Sequence, residues 1–415
     1  MNWLFIHQNF PAQYAHAARY FAAAGDTVYF ITQQRQRAIE GVQKIVYLPR
    51  RSATRGHAFV RDLEAAVENG LAVAEVCEGL KRNGFTPDIV VGHNGWGETL
   101  YVKDVWPNTP LLAYFEFFYR PAGTDLDFDP EFPPNATDAL RIRTRNAINL
   151  LGLEAADWGQ SPTEWQRSLY PAHYRRRIAV IHEGIDTGIV KPDPSARLWL
   201  RGLPSLSSSD QIITYSARNL EPYRGFHVFM RALPEMLARL PQARVLIVGG
   251  DDVSYGRRPT LAKTWREQLL NELGDRIDLS RVHFLGTMPY AQYLAVLQIS
   301  SAHVYLTYPF VLSWSFLEAM AAGCHIIASR TPPTEEVVSD GENAEFVDFF
   351  DRDALVERVV AAVSKRNESI RAAARRAVLT RYDLSSVCLP DYVRLLRKVI
   401  GRGVRRHEVN STDIL

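Results

Sequence analysis

Short apolar segments alternate with longer amphipathic segments along nearly the whole chain, and this alternation limits the fold more than any other feature of the sequence. Most of the short segments are continuously hydrophobic, which is typical of strands covered by helices on both faces of a parallel sheet. The order βαβα therefore predicts the α/β class. The candidate strands are residues 3–7, 27–31, 89–93, 111–115, 178–181, 212–216, 244–248, 282–285, 303–306 and 325–328, and the clearest helices are residues 12–24, 58–82, 226–239, 353–365 and 385–399.

The chain has 415 residues, whereas a single hydrophobic core seldom grows past about 250–300 residues. A Pro- and Ser-rich stretch between residues 186 and 211 is typical of a linker, and a new strand–helix series starts directly after it. We therefore predict a first domain over residues 1–190 and a second over residues 191–384. The segment 385–415 is expected to be a helix that packs back on the first domain, followed by a frayed basic tail.

Composition excludes several classes of protein. The 48 basic and 46 acidic residues give a net charge of +2, which offers no basic surface for nucleic acid. The three cysteines, Cys77, Cys324 and Cys388, lie far apart and are expected to be reduced and buried, with no zinc site or disulfide framework. No signal peptide and no apolar run of about 18 residues is visible, so we expect a cytoplasmic protein.

Two arginines follow the candidate strand 212–216. Arg218 and Arg224 lie six residues apart, before a helix that starts near Gly225. Guanidinium groups bind phosphate oxygens in a bidentate way, and the backbone N–H groups of a helix N-terminus bind the same anion. The segment is therefore a candidate phosphate site. The alternative is a pair of surface arginines in ordinary ion pairs.

A carboxylate lies one turn into the apolar helix that follows the candidate strand 303–306. Ser313 or Ser315 can cap this helix, and Glu318 stands among Leu317, Ala319 and Met320. A buried carboxylate needs a polar partner, because an unpaired buried charge is costly. A ribose diol is a suitable partner, and a purely structural cap is the alternative.

Polar and aromatic residues also follow two strands of the first domain. His93 ends the candidate strand 89–93 and is followed by Trp96 and Glu98, and Tyr114 and Glu116 stand at the end of the strand 111–115. Ligands of open α/β sheets bind beyond the carboxyl ends of the strands, and an aromatic face is a natural platform for a sugar ring. Glu116 either takes part in such a site or forms an ordinary ion pair with Arg120.

Taken together, these segments resemble the retaining GT-B glycosyltransferases of family 4. The resemblance rests on the Arg218/Arg224 pair, the helix Phe-Leu-Glu318-Ala-Met-Ala-Ala-Gly and the turn Val282-His-Phe-Leu-Gly-Thr-Met-Pro. The opening His7-Gln-Asn-Phe-Pro-Ala-Gln-Tyr and the segment Val180-Ile-His-Glu-Gly-Ile-Asp fit one bacterial branch of that family. The resemblance implies two Rossmann-like domains that face each other across a cleft.

The resemblance also implies roles for residues of the nucleotide-sugar-binding second domain. Arg218 and Arg224 match the Arg and Lys that contact the donor diphosphate in the family, and Glu318 matches the second of two motif glutamates, which holds the ribose. Phe310 stands where the family has the first motif glutamate, a departure that puts its sugar contact in doubt. The remaining implied donor contacts of this domain are Leu312, Ser313, Trp314 and Ser315 at the helix start and Gly249, Gly250, Phe284 and Leu285 around the base. In the first domain, Pro11 and Ala12 stand in place of the family's glycines in the loop after the first strand.

On the acceptor-binding first domain, Glu116 matches the position of a histidine that points at the reacting sugar in many family members. His93, Trp96, Glu98 and Tyr114 are the expected acceptor contacts. The resemblance implies transfer of a sugar from a UDP- or GDP-linked donor to a saccharide or glycoconjugate, in polysaccharide or glycoconjugate synthesis, with no cofactor and no metal. The basic stretches 175–177 and 371–376 are expected to be solvated faces, with peripheral contact to an anionic inner membrane as the alternative.

Two other classes of protein are alternatives to the glycosyltransferase. A nicotinamide-dependent oxidoreductase requires a glycine-rich turn after the first strand, and residues 8–14 contain no glycine. The second rival is a catalytically weak glycan- or nucleotide-binding scaffold derived from such an enzyme, suggested by Phe310 and Ala12. Measuring binding and turnover side by side separates the scaffold from the enzyme.

Overall fold

The computed structural model describes residues 1–51, 56–200, 202 and 204–412, which form two compact units. The first unit contains Met1–Glu183 together with the C-terminal segment that starts at Ser385, and the second contains Gly184–Leu384. The chain therefore passes between the units twice, at Glu183/Gly184 and at Leu384/Ser385.

The first unit is built on a seven-stranded parallel sheet in the order β3-β2-β1-β4-β5-β6-β7. Its order reverses between β1 and β4, because β2 and β3 extend the sheet on one side of β1 and all later strands extend it on the other. The strands are β1 (Asn2–Ile6), β2 (Thr27–Thr32), β3 (Val42–Val46), β4 (Ile89–His93), β5 (Leu111–Tyr114), β6 (Trp158–Ser161) and β7 (Ile178–Val180).

The second unit has a six-stranded parallel sheet in the order β10-β9-β8-β11-β12-β13, with its reversal between β8 and β11. Two parallel sheets with helical connections confirm the predicted α/β class with two Rossmann-like domains. The strands are β8 (Ile212–Asn219), β9 (Arg244–Gly250), β10 (Val282–Gly286), β11 (Ala302–Tyr305), β12 (Ile326–Ser329) and β13 (Glu345–Val347).

Helices connect the strands in both units, as parallel strand pairing requires. The first unit has α1 (Ala15–Ala23), α2 (Arg61–Arg82), α3 (Val102–Val105), α4 (Asp138–Arg145), α5 (Ala147–Ala155), α6 (Glu164–Ser168), α7 (Ala172–Arg175) and α15 (Leu389–Thr412). The second unit has α8 (Phe226–Arg239), α9 (Trp265–Leu273), α10 (Tyr290–Gln298), α11 (Trp314–Ala321), α12 (Pro332–Glu335), α13 (Arg352–Ser364) and α14 (Glu368–Arg381).

The C-terminal helix α15 belongs to the core of the first unit, as predicted. Tyr392, Leu396 and Val399 of this helix pack in one cluster with Trp3 and Phe21 from β1 and α1. Burial of this apolar face fixes the helix on the sheet. The tail predicted to fray from Gly401 is instead helical as far as Thr412.

Replacing Leu396 with alanine is expected to destabilise the first unit by about 2–4 kcal/mol, because the side chain is fully buried and its loss leaves a cavity. Urea unfolding followed by circular dichroism measures this loss. The exposed neighbour Arg397→Ala is the matched control and should change the free energy of unfolding by less than about 0.5 kcal/mol. Equal stability of the Leu396 variant and the control would contradict the packing of α15.

The stretch predicted as a linker packs on the second unit. Ile185 and Val190 lie in the same cluster as Phe316 of α11, and Leu198 packs in a second cluster with Leu246 of β9. The first crossing therefore lies at Glu183/Gly184 rather than at the predicted residues 190/191. Of the prolines and serines in this stretch, Pro194, Ser195, Ser208 and Ser209 lie in turns.

The basic stretch 371–376 is not the solvated face that the sequence predicts. The guanidinium of Arg371 is buried and donates to the carbonyl oxygens of Ser300 and Ser301. Arg375 donates to the carbonyl oxygens of Val190 and Ala321. These two arginines donate to carbonyl groups at a helix end and in loops inside the second unit. The stretch therefore does not present a continuous basic surface to a membrane.

Candidate functional site

The predicted phosphate-binding residues of the second unit lie at the point where the strand order of its sheet reverses. In open α/β sheets ligands bind at this point, beyond the carboxyl ends of the strands. The chain that leaves β8 carries Arg218 and Arg224, and the chain that leaves β11 leads into α11. Strands β8 and β11 are directly paired, so the two segments are neighbours in space.

Arg224 is a buried residue that joins these two segments. Its Nη1 donates to Thr307 Oγ1 at 2.7 Å, to the Val311 carbonyl oxygen at 3.0 Å and to Tyr305 Oη at 3.3 Å. The next residue, Gly225, has φ +68°, and a Cβ there would lie 2.2 Å from Leu306. Only glycine allows this close approach, which sets the guanidinium against the segment that leads into α11.

Arg218 differs from Arg224 in its surroundings. It lies near the end of β8, where the sequence predicted a loop, and it is exposed. Its guanidinium has no hydrogen-bond or ion-pair partner among the residues described for the second unit. Neither arginine therefore forms the ordinary surface ion pair that was the alternative. One guanidinium organises the site, and the other is available to a ligand.

The start of α11 is organised around the same segment. Ser313 is its N-cap, and its side chain accepts from the N–H of Ser315 at 3.3 Å, while its own N–H donates to Tyr305 Oη at 3.0 Å. Leu312 is buried and Trp314 is 43% exposed, so the two implied contacts beside Ser313 differ in access to a ligand. The capping confirms that Ser313 opens the helix.

Aromatic rings occupy the position where the family has its first motif glutamate. Phe310 is buried and contacts Tyr255 and Tyr223, with ring centroids 5.0 and 5.6 Å away. The Tyr255 ring also lies 5.6 Å from the Arg224 guanidinium, within reach of a cation–π contact. The departure from glutamate therefore replaces a carboxylate by an aromatic wall beside Arg224.

A buried carboxylate that sequence reasoning missed holds this wall in place. Glu221 accepts from the consecutive N–H groups of Ser254, Tyr255 and Gly256 at 3.0, 3.2 and 2.9 Å. It is 1% exposed, so the backbone donors compensate the burial of its charge. A signal was present in the sequence, because Glu221 lies midway between the two arginines in a loop otherwise free of acid.

Glu318 already has a protein partner. Tyr290 Oη donates to its Oε1 at 2.7 Å, and the buried Tyr293 side chain lies beside the carboxylate. Burial raises the pKa of the Glu318 carboxyl, and the two tyrosine hydroxyls oppose this shift. The side chain keeps part of its surface accessible and is not the helix cap, so it can accept a further hydrogen bond from a ligand.

Replacing Glu318 with glutamine is expected to raise the melting temperature at pH 7.5 and to weaken donor binding by about 10-fold or more. A folded-state pKa above the unfolded value favours folding below the unfolded pKa, and this contribution is lost as the pH rises through the folded pKa. The stability gain should therefore vanish near pH ~4. Thermal unfolding at both pH values measures it, with the exposed Glu342→Gln as control. A gain of equal size at both pH values would contradict the assignment.

The predicted base-pocket residues lie together at the ends of β9 and β10. A Cβ at Gly249 would lie 2.8 Å from the Ala217 carbonyl oxygen, and one at Gly250 would lie 2.6 Å from Asn219 Oδ1. Both glycines therefore let β9 approach the end of β8 closely. Phe284 and Leu285 are partly exposed on the neighbouring strand β10, which leaves room for a base.

In the first unit, Pro11 and Ala12 stand in the loop after β1 where the resemblance implies glycines. Ala12 has φ +45°, a left-handed conformation that a side chain disfavours. The loop thus keeps the backbone shape for which glycine is best suited, although glycine is absent.

A cavity of about 230 Å³ opens in the first unit beyond the ends of β4 and β5. His93, Trp96 and Glu116 line it, as predicted for an acceptor site. The His93 and Trp96 rings are stacked with centroids 4.1 Å apart, and His93 Nε2 lies 3.6 Å from Glu116 Oε2. The alternative partner for Glu116, Arg120, donates instead to the Leu169 carbonyl oxygen.

Two predicted acceptor contacts do not line this cavity. Glu98 is fully buried behind it and accepts from Tyr47 Oη at 3.0 Å, and its burial raises the pKa of the carboxyl. Tyr114 is buried and donates to Glu183 Oε1. Glu98 lies in the turn after β4, and Tyr114 ends β5, a strand that is buried along its whole length.

Six further polar or aromatic lining residues were missed by sequence reasoning. Two of them are asparagines on the buried faces of helices α2 and α5, where a polar side chain in an apolar helix was a usable signal. The others lie in helices or loops whose approach to the cavity depends on tertiary packing. The six residues are Asp62, Asn69, Phe117, Tyr119, Arg145 and Asn149.

Metal and membrane features can be judged over the described part of the chain. Within residues 1–51, 56–200, 202 and 204–412, no three His, Cys, Asp or Glu side chains are grouped as metal ligands would be. None of the helices in those ranges has the length and hydrophobicity needed to cross a membrane. The three cysteines are free and buried, as predicted.

Both units match models of glycosyltransferase families. Residues 24–190 match the model of the glycosyl transferase family 4 group, and residues 204–377 match that of the glycosyl transferases group 1. The phosphatidyl-myo-inositol mannosyltransferase of Mycolicibacterium smegmatis is 28% identical over 302 residues, which are 65% of this chain and 73% of that protein.

Two solved structures share the fold of the whole chain. Sucrose-phosphate synthase from Thermosynechococcus elongatus superposes with a TM-score of 0.67 and 19% identity, over 96% of this chain and 99% of the other. Anabaena HepE in complex with UDP superposes with a TM-score of 0.65 and 15% identity, over 96% and 100%. With a family model matched in each unit, the chain is a group 1 glycosyltransferase similar to the family 4 group.

Proposed function

We propose that this protein transfers a sugar from a UDP- or GDP-linked donor to a hydroxyl group of a saccharide or glycoconjugate, with retention at the anomeric carbon and without a metal ion. The family models give the glycosyltransferase class. The donor, the stereochemistry and the roles of individual residues are proposed here in addition. The phosphatidyl-myo-inositol mannosyltransferase among its relatives is a further reason to test mannosyl donors first.

The observation that supports the donor site most strongly is the contrast between the two arginines at the β8/β11 reversal. Arg218 is an exposed guanidinium, and Arg224 is buried against the segment leading into α11. A diphosphate that lies between Arg218 and the N-terminus of α11 would meet a guanidinium fork and the positive end of the helix dipole together. Glu318, further along α11, is then the partner for the ribose diol.

These groups suit the chemistry of a leaving diphosphate. Negative charge builds on its β-phosphate as the glycosidic bond breaks, and fixed donors stabilise that charge without reorganisation. The β-phosphate then takes the proton of the acceptor hydroxyl, which attacks on the same face of the sugar. The arginines supply the positive charge that a metal ion provides in other phosphate sites. Glu116 of the first unit is the proposed carboxylate on the acceptor side of the reaction.

A panel of nucleotide sugars tests the donor assignment. A donor present at about 100 times its dissociation constant should stabilise the folded protein by about 2.7 kcal/mol. Release of the nucleoside diphosphate, followed with and without EDTA, then measures turnover and its metal dependence. The proton coupling constant of the new anomeric centre reports retention. No stabilisation by any UDP- or GDP-sugar, or an inverted product, would refute the proposal.

The aromatic wall around Phe310 favours one alternative, a nucleotide-binding protein with little catalytic activity. An aromatic ring cannot hold a sugar hydroxyl as a carboxylate does, so the sugar would be less firmly oriented. Titration calorimetry and a turnover assay on the same sample distinguish the two functions. Tight binding of nucleotide sugars with turnover below about 10⁻³ s⁻¹ would favour the binding protein over a typical enzyme of about 10 s⁻¹.

A further inference from the structure

The cavity of the first unit has the size and surface of a site for one hydroxylated ring. Its volume of about 230 Å³ is below the range of about 300–1,000 Å³ that is usual for drug-sized ligands. Trp96 and Tyr119 place aromatic rings on its wall, and aromatic side chains are common in sites for sugar or cyclitol rings. A single six-membered ring fits this space better than a nucleotide or a lipid headgroup with its chains.

The polar groups of the cavity match one hydroxyl group. The Nδ1 atom of His93 accepts from the N–H of Gly95 at 3.0 Å, so its Nε2 carries the proton. Of the described residues that line the cavity, His93 alone has a buried polar side-chain atom, Nε2, without a hydrogen-bond partner. The Glu116 carboxylate lies 3.6 Å from that nitrogen. A hydroxyl oxygen that lies to one side of this pair, about 2.8 Å from each atom, accepts from His93 and donates to Glu116.

The charges of the cavity do not suit a phosphate. Among its described lining residues, one guanidinium stands against two carboxylates, those of Asp62 and Glu116. That guanidinium, Arg145, lies 3.6 Å from the Asp62 carboxylate and 3.8 Å above the Tyr119 ring. The cation is therefore already compensated, and a phosphate in the cavity would meet the two carboxylates.

The amide groups of the cavity are also engaged within the protein. Asn69 donates to the Trp96 carbonyl oxygen at 2.8 Å and accepts from Arg51 at 2.9 Å. Asn149 donates to the Phe117 carbonyl oxygen at 3.0 Å. Recognition of a phosphate needs several donors aimed at its oxygens, and these amides are not available for that role.

We infer that the acceptor ring held by this cavity is an uncharged pyranose or cyclitol, with no phosphate on the part that enters. One of its hydroxyl groups bridges His93 Nε2 and the Glu116 carboxylate. This inference rests on the proposed function, since it names the acceptor class of the proposed reaction. It sets this chain apart from its inositol-lipid mannosyltransferase relative, whose name includes a phosphate-linked inositol.

Binding of small rings to the full chain tests the inference independently of turnover. The probes are methyl glucoside and myo-inositol, each compared with its phosphorylated form, glucose 6-phosphate and inositol 1-phosphate. Saturation-transfer NMR and titration calorimetry measure the dissociation constants. The uncharged rings should bind at least about 10-fold more tightly than the phosphorylated ones. Tighter binding of the phosphorylated rings would overturn the inference.

Two variants test the residues that the inference names. Asp62→Asn releases Arg145 and should strengthen binding of the phosphorylated rings by about 10-fold. Glu116→Ala removes the carboxylate that accepts the hydrogen bond of the ring hydroxyl, so it should weaken binding of the uncharged rings by about 10-fold. Glu75→Gln, an exposed carboxylate elsewhere on α2, is the matched control for the loss of one negative charge. A control that changes ring selectivity as much as Asp62→Asn would overturn the charge argument.

The outcomes separate the inference from the proposed function. If nucleotide sugars are turned over but no ring binds, or if ring binding does not depend on Glu116, this cavity is not the acceptor site and the proposed reaction stands. If uncharged rings bind selectively but no nucleotide sugar is turned over, the ligand class stands and the proposed reaction fails. Equal binding of a disaccharide that ends in the same ring would extend the acceptor class to glycan ends.

Discussion

Replacing Arg218 with alanine is expected to lower kcat for sugar transfer by about 100- to 1000-fold while leaving the melting temperature unchanged. The loss follows from the removal of a fixed donor at the position where the diphosphate gains charge. The unchanged stability follows because the exposed guanidinium has no partner among the described residues of its unit. Steady-state kinetics with a saturating nucleotide sugar, beside a thermal unfolding scan, measures both quantities.

Two comparisons make this result specific to Arg218. The exposed Arg376→Ala on α14 removes the same charge from the same unit and should leave kcat within about twofold. Arg218→Lys keeps the charge but loses the planar fork, so it should recover part of kcat. Undiminished turnover of Arg218→Ala would remove this residue from the reaction. An equal loss in the Arg376 variant would indicate a general effect of net charge.

The parts of the fold that the sequence predicted are those whose own residues specify them. The strand Ile89–His93 and the helix Phe226–Arg239 were predicted with the bounds that the structure has, because each is strongly apolar or strongly periodic. The strand Val42–Val46 was missed, since it lies at a sheet edge and is half polar. The four-residue strand Trp158–Ser161 was missed because it depends on its neighbours: a Cβ at Gly159 would lie 2.7 Å from Phe115.

The sequence predicted which residues could form the candidate site, but it did not predict how those residues are buried and arranged. Sequence motifs identified Arg218, Arg224 and Glu318 as candidate residues of one donor site, and their roles there remain a proposal. The different burial of the two arginines depends on the pairing of β8 with β11, which no local pattern encodes. The same holds in the first unit, where Arg145 reaches the cavity only through the packing of helices far apart in sequence.

Replacing Arg224 with alanine is expected to abolish transfer and also to lower the melting temperature by about 5–10 °C, corresponding to about 2–4 kcal/mol. The guanidinium is 8% exposed and satisfies Tyr305 Oη, Thr307 Oγ1 and the Val311 carbonyl oxygen. Its removal leaves these buried acceptors without their donor and loosens the segment that leads into α11. We therefore expect sugar transfer and the stability of the second unit to be lost together.

The Arg224→Lys variant separates the contribution of the positive charge from that of the planar guanidinium group. An ammonium group keeps the positive charge but cannot reproduce the planar geometry toward three acceptors, so we expect about half of the stability loss and partial activity. Arg231→Ala is the control, since it breaks an ion pair with Glu272 on the surface of the same unit and should cost at most about 1 kcal/mol. Thermal unfolding and nucleotide release are measured on all three variants. A stable, fully active Arg224→Ala protein would show that neither the α11 segment nor the diphosphate depends on this guanidinium.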